Sequence, residues 1–198
     1  MTRVIRLATN ADAAAMQAIY GPIVRETAIS FEMEPPSVTE MQQRITKIRA
    51  VLPWLVCEQD GCMQGYAYAS RHRERAAYQW AVDVSVYIHP RWRGQGVGRA
   101  LYTALFAGLR VLGYYTVCAG IALPNPASVA LHEALGMAPV GVYRQIGYKL
   151  GGWHDVGWWQ GALQPSRAQP SPPRALSELL DTLEWTSLFA PDDMPTEP

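Results

Sequence analysis

One aspartate stands inside an otherwise apolar stretch, "WAVDVSV", and is the first candidate for acid–base chemistry. Asp83 has apolar neighbours on both sides, in a segment whose β-branched and aromatic residues predict a long central strand. A carboxylate at such a position is costly to bury unless it faces a wet cleft or is held by hydrogen bonds. A carboxylate in a cleft can take a proton from an attacking nucleophile. Asp83 is therefore either a general base or a buried polar residue of structural importance.

A second candidate site is the glycine-rich segment "RGQGVGRAL", which precedes an apolar helical pattern. The ATP-binding P-loop needs Lys-Ser or Lys-Thr after its last glycine, whereas Arg99 and Ala100 follow Gly98 here. The dinucleotide motif needs G-x-G-x-x-G spacing and a later acidic residue, and neither is present. The segment therefore matches neither of the two common nucleotide-binding patterns.

Glycines at the start of a helix can still expose backbone N–H groups to an anion, and the helix dipole favours negative charge there. The arginines at 91, 93 and 99 add positive charge around the turn. A pyrophosphate on a cofactor other than ATP or NAD fits this pattern, and coenzyme A is the candidate. The alternative is a tight strand-to-helix turn without a ligand.

Two further stretches carry polar side chains in suggestive patterns. In "NPASVALHEALG", Asn125 caps a predicted helix and His132 follows seven residues later, as a possible acid near neutral pH or a packed helix histidine. In "SRHRERAAYQW", arginines at 71, 73 and 75 precede the strand that carries Asp83. Guanidinium groups suit oxyanions, so these arginines either recognise a substrate carboxylate or belong to a solvated loop.

The elements that position these residues follow the order β-α-α-β-β-β-α-β-α-β-β. Three strands before a single βα step predict an α/β (α+β) fold with a mixed, mostly antiparallel central sheet and helices on both faces. Asp60-Gly61 predicts a hairpin, with Cys57 and Cys62 as small core residues. Pro22 is expected to kink or break the first helix.

The composition changes after Gln164, which suggests a boundary. We expect one domain over residues 1–164 and a proline-rich linker and tail over residues 165–198. An amphipathic helix is possible there, with Leu176, Leu179, Leu180 and Leu183 on one side, packed on the domain or on a partner chain. The acidic end that follows is expected to be disordered.

Charge and cysteine content narrow the class of protein. Seventeen basic and seventeen acidic residues cancel, which disfavours a nucleic-acid partner. No apolar run resembles a signal segment or a membrane span, so no membrane partner is expected. Three cysteines without metal-like spacing favour a reducing compartment. The simplest interpretation is a soluble cytoplasmic protein.

Together, "RWRGQGVGRAL" and "NPASVALHEALGM" resemble the two acetyl-CoA segments of the GCN5-related N-acetyltransferase (GNAT) superfamily. The stretches "RERAAYQWAVDVSVYIHP" and "GGWHDVGWWQ" are most similar to the group that acts on phosphinothricin and methionine sulfoximine. The resemblance covers roughly residues 3 to 163. It implies the GNAT acyl-CoA N-acyltransferase fold and acetyl-CoA as co-substrate without a metal.

The resemblance also implies roles for individual residues. The pantetheine arm of acetyl-CoA would pair with the strand at Val86 and Ile88, and a backbone N–H near Val86 would face the oxyanion. The other implied cofactor-binding residues are Arg93, Gly94, Gly96, Val97, Gly98 and Arg99 at the pyrophosphate, with Asn125 and Ser128 further along.

For the chemistry, the resemblance implies that Asp83 is the general base, although the family usually has Glu there. His132 would protonate the leaving thiolate where many members have Tyr. The implied substrate-binding residues are Phe31, Arg73, Arg75 and Tyr78. The expected activity is direct transfer of an acetyl group to the α-amine of a small amino acid, in a homodimer. Acetylation of protein N-termini or lysines and a weak acyl-CoA sensor remain the alternatives.

Overall fold

The computed structural model describes residues 3–180 together with Thr182, Trp185 and Leu188. The strands are β1 (Val4–Leu7), β2 (Trp54–Gln59), β3 (Cys62–Arg71), β4 (Ala81–Ile88), β5 (Thr116–Leu123), β6 (Ala138–Lys149) and β7 (Gly152–Ala162). The α-helices are α1 (Ala13–Glu26), α2 (Val38–Arg49), α3 (Val97–Leu112) and α4 (Pro126–Glu133). Short 3₁₀ turns occur at Asn10–Asp12, Ala76–Tyr78, Pro90–Trp92 and Leu176–Glu178. The predicted order of elements is confirmed.

The seven strands form one sheet in the order β1-β2-β3-β4-β5-β7-β6. Every neighbouring pair is antiparallel except β4 and β5, which run parallel. The connection between these two strands is α3, as a parallel pair requires a crossover. The mixed, mostly antiparallel sheet predicted from the sequence is confirmed.

Each face of the sheet carries its own apolar core. On one face, α3 contributes a buried stripe with four-residue spacing that includes Leu101, Leu105 and Leu109. On the other face, α1 and α2 pack Met16, Met41 and neighbouring apolar residues against strands β2 and β3. Helices thus cover both faces of the sheet, as predicted, and a functional site is expected at the strand edges and loops.

Pro22 does not break the first helix, because α1 runs from Ala13 to Glu26 through it, and the alternative of a kink at Pro22 stays a prediction. A proline inside a helix loses one backbone hydrogen bond and strains the preceding turn. Ile19, Tyr20, Ile23 and Val24 surround Pro22 in the helix and are all buried. Their packing offsets the local cost and holds the helix together.

The hairpin at Asp60-Gly61 forms as predicted, with both residues at positive φ. Cys57 is fully buried, whereas Cys62 is exposed, so the expectation that both are core residues is wrong for Cys62. Cys62 is the first residue of β3 and pairs with Gln59 beside the exposed turn of the hairpin.

The C-terminal segment packs on the α3 face of the domain. Leu176 and Leu179 are 0% and 2% exposed and join the core together with Trp185. The Leu176 N–H donates to the carbonyl of Val51, which anchors the segment. Leu176–Glu178 form a 3₁₀ turn, and several residues of the stretch for which an amphipathic helix was considered lie outside the described residues. Leu183 and residues 190–198, expected to be helical and disordered respectively, lie outside the described residues.

Among the helices of the described part of the chain, none has the length and apolarity needed to cross a membrane.

Candidate active site

A cleft opens in the middle of the sheet where β4 and β5 separate. The two strands pair only from Ala81 to Asp83 and from Thr116 to Cys118. Beyond these pairs lies a cavity of about 60 Å³ between the strands. Its wall includes backbone and side chains of Val84–Tyr87 and Gly120–Ala122 and the side chains of Ile29, Tyr102, Asn125, Ser128 and His132. Parallel strands that diverge leave backbone N–H and C=O groups for a ligand to pair with.

The glycine turn lies at the C-terminal end of β4. Gly94 and Gly96 have φ of 72° and 77°, and a Cβ built on either would meet nothing within 4 Å. Gly96 begins α3 without a side-chain cap. The first N–H groups of α3 are therefore open to an anion, and this cradle fits a pyrophosphate.

Other residues of this segment also have packing roles. Val97 is buried in the core, and a Cβ on Gly98 would come within 3.0 Å of Leu131 in α4. Ile88 lies next to Gly98. Arg93 directs its Nε toward the Ile88 carbonyl at 3.4 Å, while Arg91 stacks over the Trp92 ring. Gly94 and Gly96 therefore form the open part of the turn, while Val97 and Gly98 join it to the core.

Asn125 and Ser128 line the cleft at the start of α4. The Asn125 Oδ1 accepts the backbone N–H of Ser128 at 3.2 Å, which caps the helix. Both residues thus support the helix that carries His132 while contributing to the wall of the cleft.

His132 is nearly fully buried, and both ring nitrogens have partners. Its Nδ1 donates to the Ser128 carbonyl at 2.7 Å, and its Nε2 accepts from the Tyr102 hydroxyl at 3.1 Å. Burial lowers the pKa of His132, so the ring is neutral at neutral pH. Tyr102 could not be singled out from the sequence, because it lies among the regularly spaced apolar residues of α3 and therefore resembles a core residue.

Asp83 forms the second acid–base pair, with His72. The His72 Nδ1 and the Asp83 Oδ1 are 2.7 Å apart. Burial raises the pKa of Asp83 above its usual value, while the hydrogen bond from His72 and the charge of Arg73 oppose that shift. His72 was not singled out by the sequence analysis, because it lies in the long β3–β4 loop, where register cannot be counted from a turn.

A thiol and an indole complete the surroundings of Asp83. Cys118 is its partner across β4 and β5, and the polar atoms of His72, Asp83 and Cys118 all lie within 4.8 Å of one another. Burial raises the pKa of the Cys118 thiol to about 11, so it stays protonated at neutral pH. Trp158 packs edge-on against His72, and its buried Nε1 has no acceptor among the described residues.

The four residues expected to bind substrate do not come together. Arg73, Arg75 and Tyr78 line a different cavity of about 360 Å³, whose other wall includes Pro173–Ala175 of the C-terminal segment. Phe31 instead packs over Gly147 and 6.2 Å from the His154 ring, on the β6–β7 hairpin. His154 and Asp155 bond within that hairpin, to the Lys149 carbonyl and to Arg144 and Gln145.

The arrangement defines a class of enzyme. An anion cradle at one end of β4, unpaired strand edges along the cleft and an acid–base pair at the other end suit a transferase that takes an acyl group from an acyl-CoA thioester.

Comparisons with known proteins give the family. A family model described as an acetyltransferase (GNAT) domain matches residues 5–158. Phosphinothricin N-acetyltransferase of Streptomyces viridochromogenes is 41% identical over 170 residues, covering 86% of this chain and 91% of that protein. An L-methionine sulfoximine/L-methionine sulfone acetyltransferase of Salmonella typhimurium is 35% identical over 158 residues, covering 79% of this chain and 92% of that protein.

Among solved structures, a phosphinothricin acetyltransferase from Sinorhizobium meliloti in complex with acetyl-CoA superimposes with a TM-score of 0.82. It is 36% identical, and the match covers 86% of this chain and 94% of that chain. The chain belongs to the GNAT family and is an N-acetyltransferase that uses acetyl-CoA as its co-substrate, a reaction that needs no metal.

Proposed function

We propose that this enzyme acetylates the α-amino group of a small amino acid of the phosphinothricin or methionine sulfone type, by direct transfer in a ternary complex. The observation that carries the proposal is the cleft between β4 and β5, which has the glycine turn at one end and Asp83 at the other. The names of the relatives supply the class of acceptor.

The length of the cleft supports this arrangement. Asp83 and Ile88 are five residues apart on β4, or about 17 Å at the usual rise of a strand. An extended pantetheine arm is of comparable length. Gly94 and Gly96, with Arg93 and Arg99 nearby, would hold the pyrophosphate, and Val86, Asn125 and Ser128 would contact the arm. The thioester then lies toward Asp83.

Asp83 provides the basic end of the cleft. The α-amine of an amino acid is mostly protonated at neutral pH, so it must lose a proton before it can attack. The carboxylate of Asp83 draws that proton, directly or through an intervening group. The attacking nitrogen forms its bond to the acetyl carbon, and a backbone N–H near Val86 stabilises the developing oxyanion.

Tyr102 and His132 provide the proton for the leaving thiolate. His132 begins neutral with an unprotonated Nε2, so it must first receive a proton before it can supply one. Tyr102 and His132 both line the cleft, and their hydrogen bond provides a path by which the second proton of the amine would reach His132 through the Tyr102 hydroxyl and return to the sulfur. His132 and Tyr102 thus act as one unit that stores a proton.

The state of Cys118 favours direct transfer over a covalent acetyl-enzyme. A nucleophilic cysteine needs a lowered pKa, whereas burial and the neighbouring Asp83 raise that of Cys118. A protonated thiol in this position is a weak competitor for the amine.

Recognition of the acceptor carboxylate is assigned to Arg73 and Arg75, with Tyr78 as an apolar wall of the same cavity. The Arg73 charge acts on Asp83, so its guanidinium lies close enough to influence the reacting end of the cleft. A carboxylate held by guanidinium groups would place the adjacent α-amine near the base.

The proposal is tested by measuring thiol release from acetyl-CoA with a panel of acceptors. The panel contains phosphinothricin, methionine sulfoximine, methionine sulfone and common amino acids, each compared with its carboxamide, and a set of short peptides. We expect turnover with at least one free amino acid and a raised KM for the matching carboxamide. Asp83→Asn serves as the control that ties the signal to this site.

Activity confined to peptides would replace the proposal with protein N-terminal or lysine acetylation. Acetyl-CoA binding without turnover on any amine would identify an acyl-CoA sensor instead.

The assembly and location are proposed on separate grounds. β6 is the edge strand of the sheet and leaves Val140, Tyr143, Ile146 and Tyr148 largely exposed, with Trp153 beside them on β7. An exposed apolar edge strand is normally covered. We infer that a second copy of this chain covers it, giving a homodimer.

Three free cysteines favour the reducing cytoplasm, which cell fractionation would test.

A further inference from the structure

The imidazole beside Asp83 belongs to none of the motifs that identify the family. We propose that His72 and Asp83 form a catalytic dyad in which His72 Nε2 accepts the proton of the acceptor ammonium and Asp83 orients the ring. The proposal rests on the acetyl transfer proposed above and names the group that receives the proton.

The hydrogen bond determines which nitrogen is free. A carboxylate only accepts, so the 2.7 Å contact to Asp83 Oδ1 places the ring proton of neutral His72 on Nδ1. The Nε2 then carries a lone pair, and the described residues give it no hydrogen-bond partner. Histidine bases in hydrolases are held by a carboxylate in the same way.

Packing fixes the direction of the ring. Tyr78 and Trp158 contact His72 edge-on, with ring centroids 5.9 and 6.1 Å away. The side chains of His72 and Asp83 are 17% and 27% exposed, so the pair is partly shielded yet open to a ligand. Three partners on three elements hold one imidazole in one orientation.

The position of His72 in the chain brings it close to Asp83. Ser70 on β3 is directly opposite Asp83 on β4. His72 is the first residue after β3, and its Nδ1 lies 2.7 Å from Asp83 Oδ1. Cys118 of β5 lies beside this pair, since Cys118 pairs with Asp83.

The chemistry favours imidazole as the proton acceptor. A base works best when its pKa lies near the operating pH, and imidazole meets this condition better than a carboxylate. Asp83 is also one methylene shorter than Glu, so its carboxylate reaches less far into the cleft. His72 bridges that gap, and the aspartate stabilises the imidazolium that forms.

Both protons that the acceptor ammonium loses during the reaction are accounted for. The ammonium loses one proton to His72 Nε2, and the neutral amine then forms the C–N bond as the C–S bond breaks. The second amine proton goes to the thiolate, and His72 releases its proton to solvent. The titratable groups around the ring are Asp83, Cys118 and Tyr78, with Arg73 close enough for its charge to act on Asp83.

The test compares two replacements of His72 in the full-length enzyme with the best acceptor of the panel. His72→Asn keeps a donor for Asp83 but has no basic nitrogen, and His72→Ala leaves room for free imidazole. We expect both to lower kcat/KM about 10²-fold. Added imidazole should restore part of the activity of His72→Ala, and the acidic limb of the wild-type pH profile should be lost. Cys118→Ala is the matched control within the cluster and should retain its rate.

His72→Asn with a rate and pH profile close to the wild type would overturn the dyad and leave His72 a hydrogen-bond donor to Asp83. Loss of activity on treatment with EDTA would overturn it in favour of a bound metal.

A measurement without turnover covers the case in which a variant does not fold. Nitrogen-15 NMR of the wild type should show His72 as the Nδ1–H tautomer, and the Nε2–H tautomer would contradict the dyad. Failure of the proposed function is distinct, because it would appear as inactivity of the wild type on every acceptor.

Discussion

The cleft has two acid–base pairs, Asp83 with His72 and His132 with Tyr102, and burial shifts the pKa values of Asp83 and His132 in opposite directions. Burial raises the pKa of Asp83 and lowers that of His132. The shifts make Asp83 a stronger base than an exposed aspartate and keep His132 neutral at neutral pH.

Tyr102→Phe tests the second pair, because it keeps the ring in the core and removes only the hydroxyl between His132 and the cleft. We expect kcat to fall at least about 10-fold with a small change in the KM for acetyl-CoA. The expectation follows from the route of the proton, since Tyr102 is the group through which His132 reaches the sulfur.

Steady-state kinetics at several pH values check this result. Tyr66→Phe is the control, since Tyr66 is also fully buried but belongs to the core on the opposite face of the sheet. Equal kcat for Tyr102→Phe and the wild type would remove the hydroxyl from the reaction.

At the scale of elements, the C-terminal segment is part of the core that supports α3. Trp185 lies against Gly108, where an added Cβ would come within 3.0 Å of the indole. Leu179 and Leu176 fill the same face. Residues of this segment also form one wall of the 360 Å³ cavity that is lined by Arg73 and Arg75. The C-terminal segment therefore contributes to a candidate binding region.

Leu179→Ala is expected to reduce the free energy of unfolding by about 2–5 kcal/mol, the usual cost of a cavity at a fully buried leucine. Chemical denaturation measures it. Ser177→Ala, at an exposed position of the same turn, should cost far less. Equal stability of the two variants would mean that the segment does not pack on the domain in solution.

At the scale of the whole molecule, the apolar surface is uneven. Ile146, Tyr148, Leu150 and Trp153 are each more than half exposed on the β6–β7 side of the sheet. The opposite edge strand, β1, is short, and Val4 is its exposed apolar residue. The β6 edge therefore has the larger exposed apolar surface, and it is the edge that we expect a second chain to cover.

Trp153→Lys is expected to shift the protein from dimer to monomer, because a charge at the centre of an apolar interface is costly to bury. Sedimentation velocity over a concentration series measures the change. Val4→Lys on the other edge is the matched control and should leave the mass unchanged. A monomeric wild type would refute the homodimer.

The fold class and the order of elements could be predicted from the sequence alone, because they depend on local periodicity, cap residues and turn glycines. The two acetyl-CoA segments were recognised by their resemblance to the GNAT family, and the roles of their residues stay predictions. Asp83 was recognisable from a local pattern, as a charge in an apolar strand. The boundary at residue 164 stays a prediction.

Only the tertiary structure decided which side chains meet. His72 contacts Asp83 from the loop after β3, and Tyr102 contacts His132 from a different helix. Arg73 and Phe31, assigned to one pocket from the sequence, belong to separate surfaces. The leucines of the C-terminal segment are buried against the α3 face, and the sequence alone did not indicate which surface would cover them. Contacts between distant segments depend on register and packing, which leave no local pattern in a single chain.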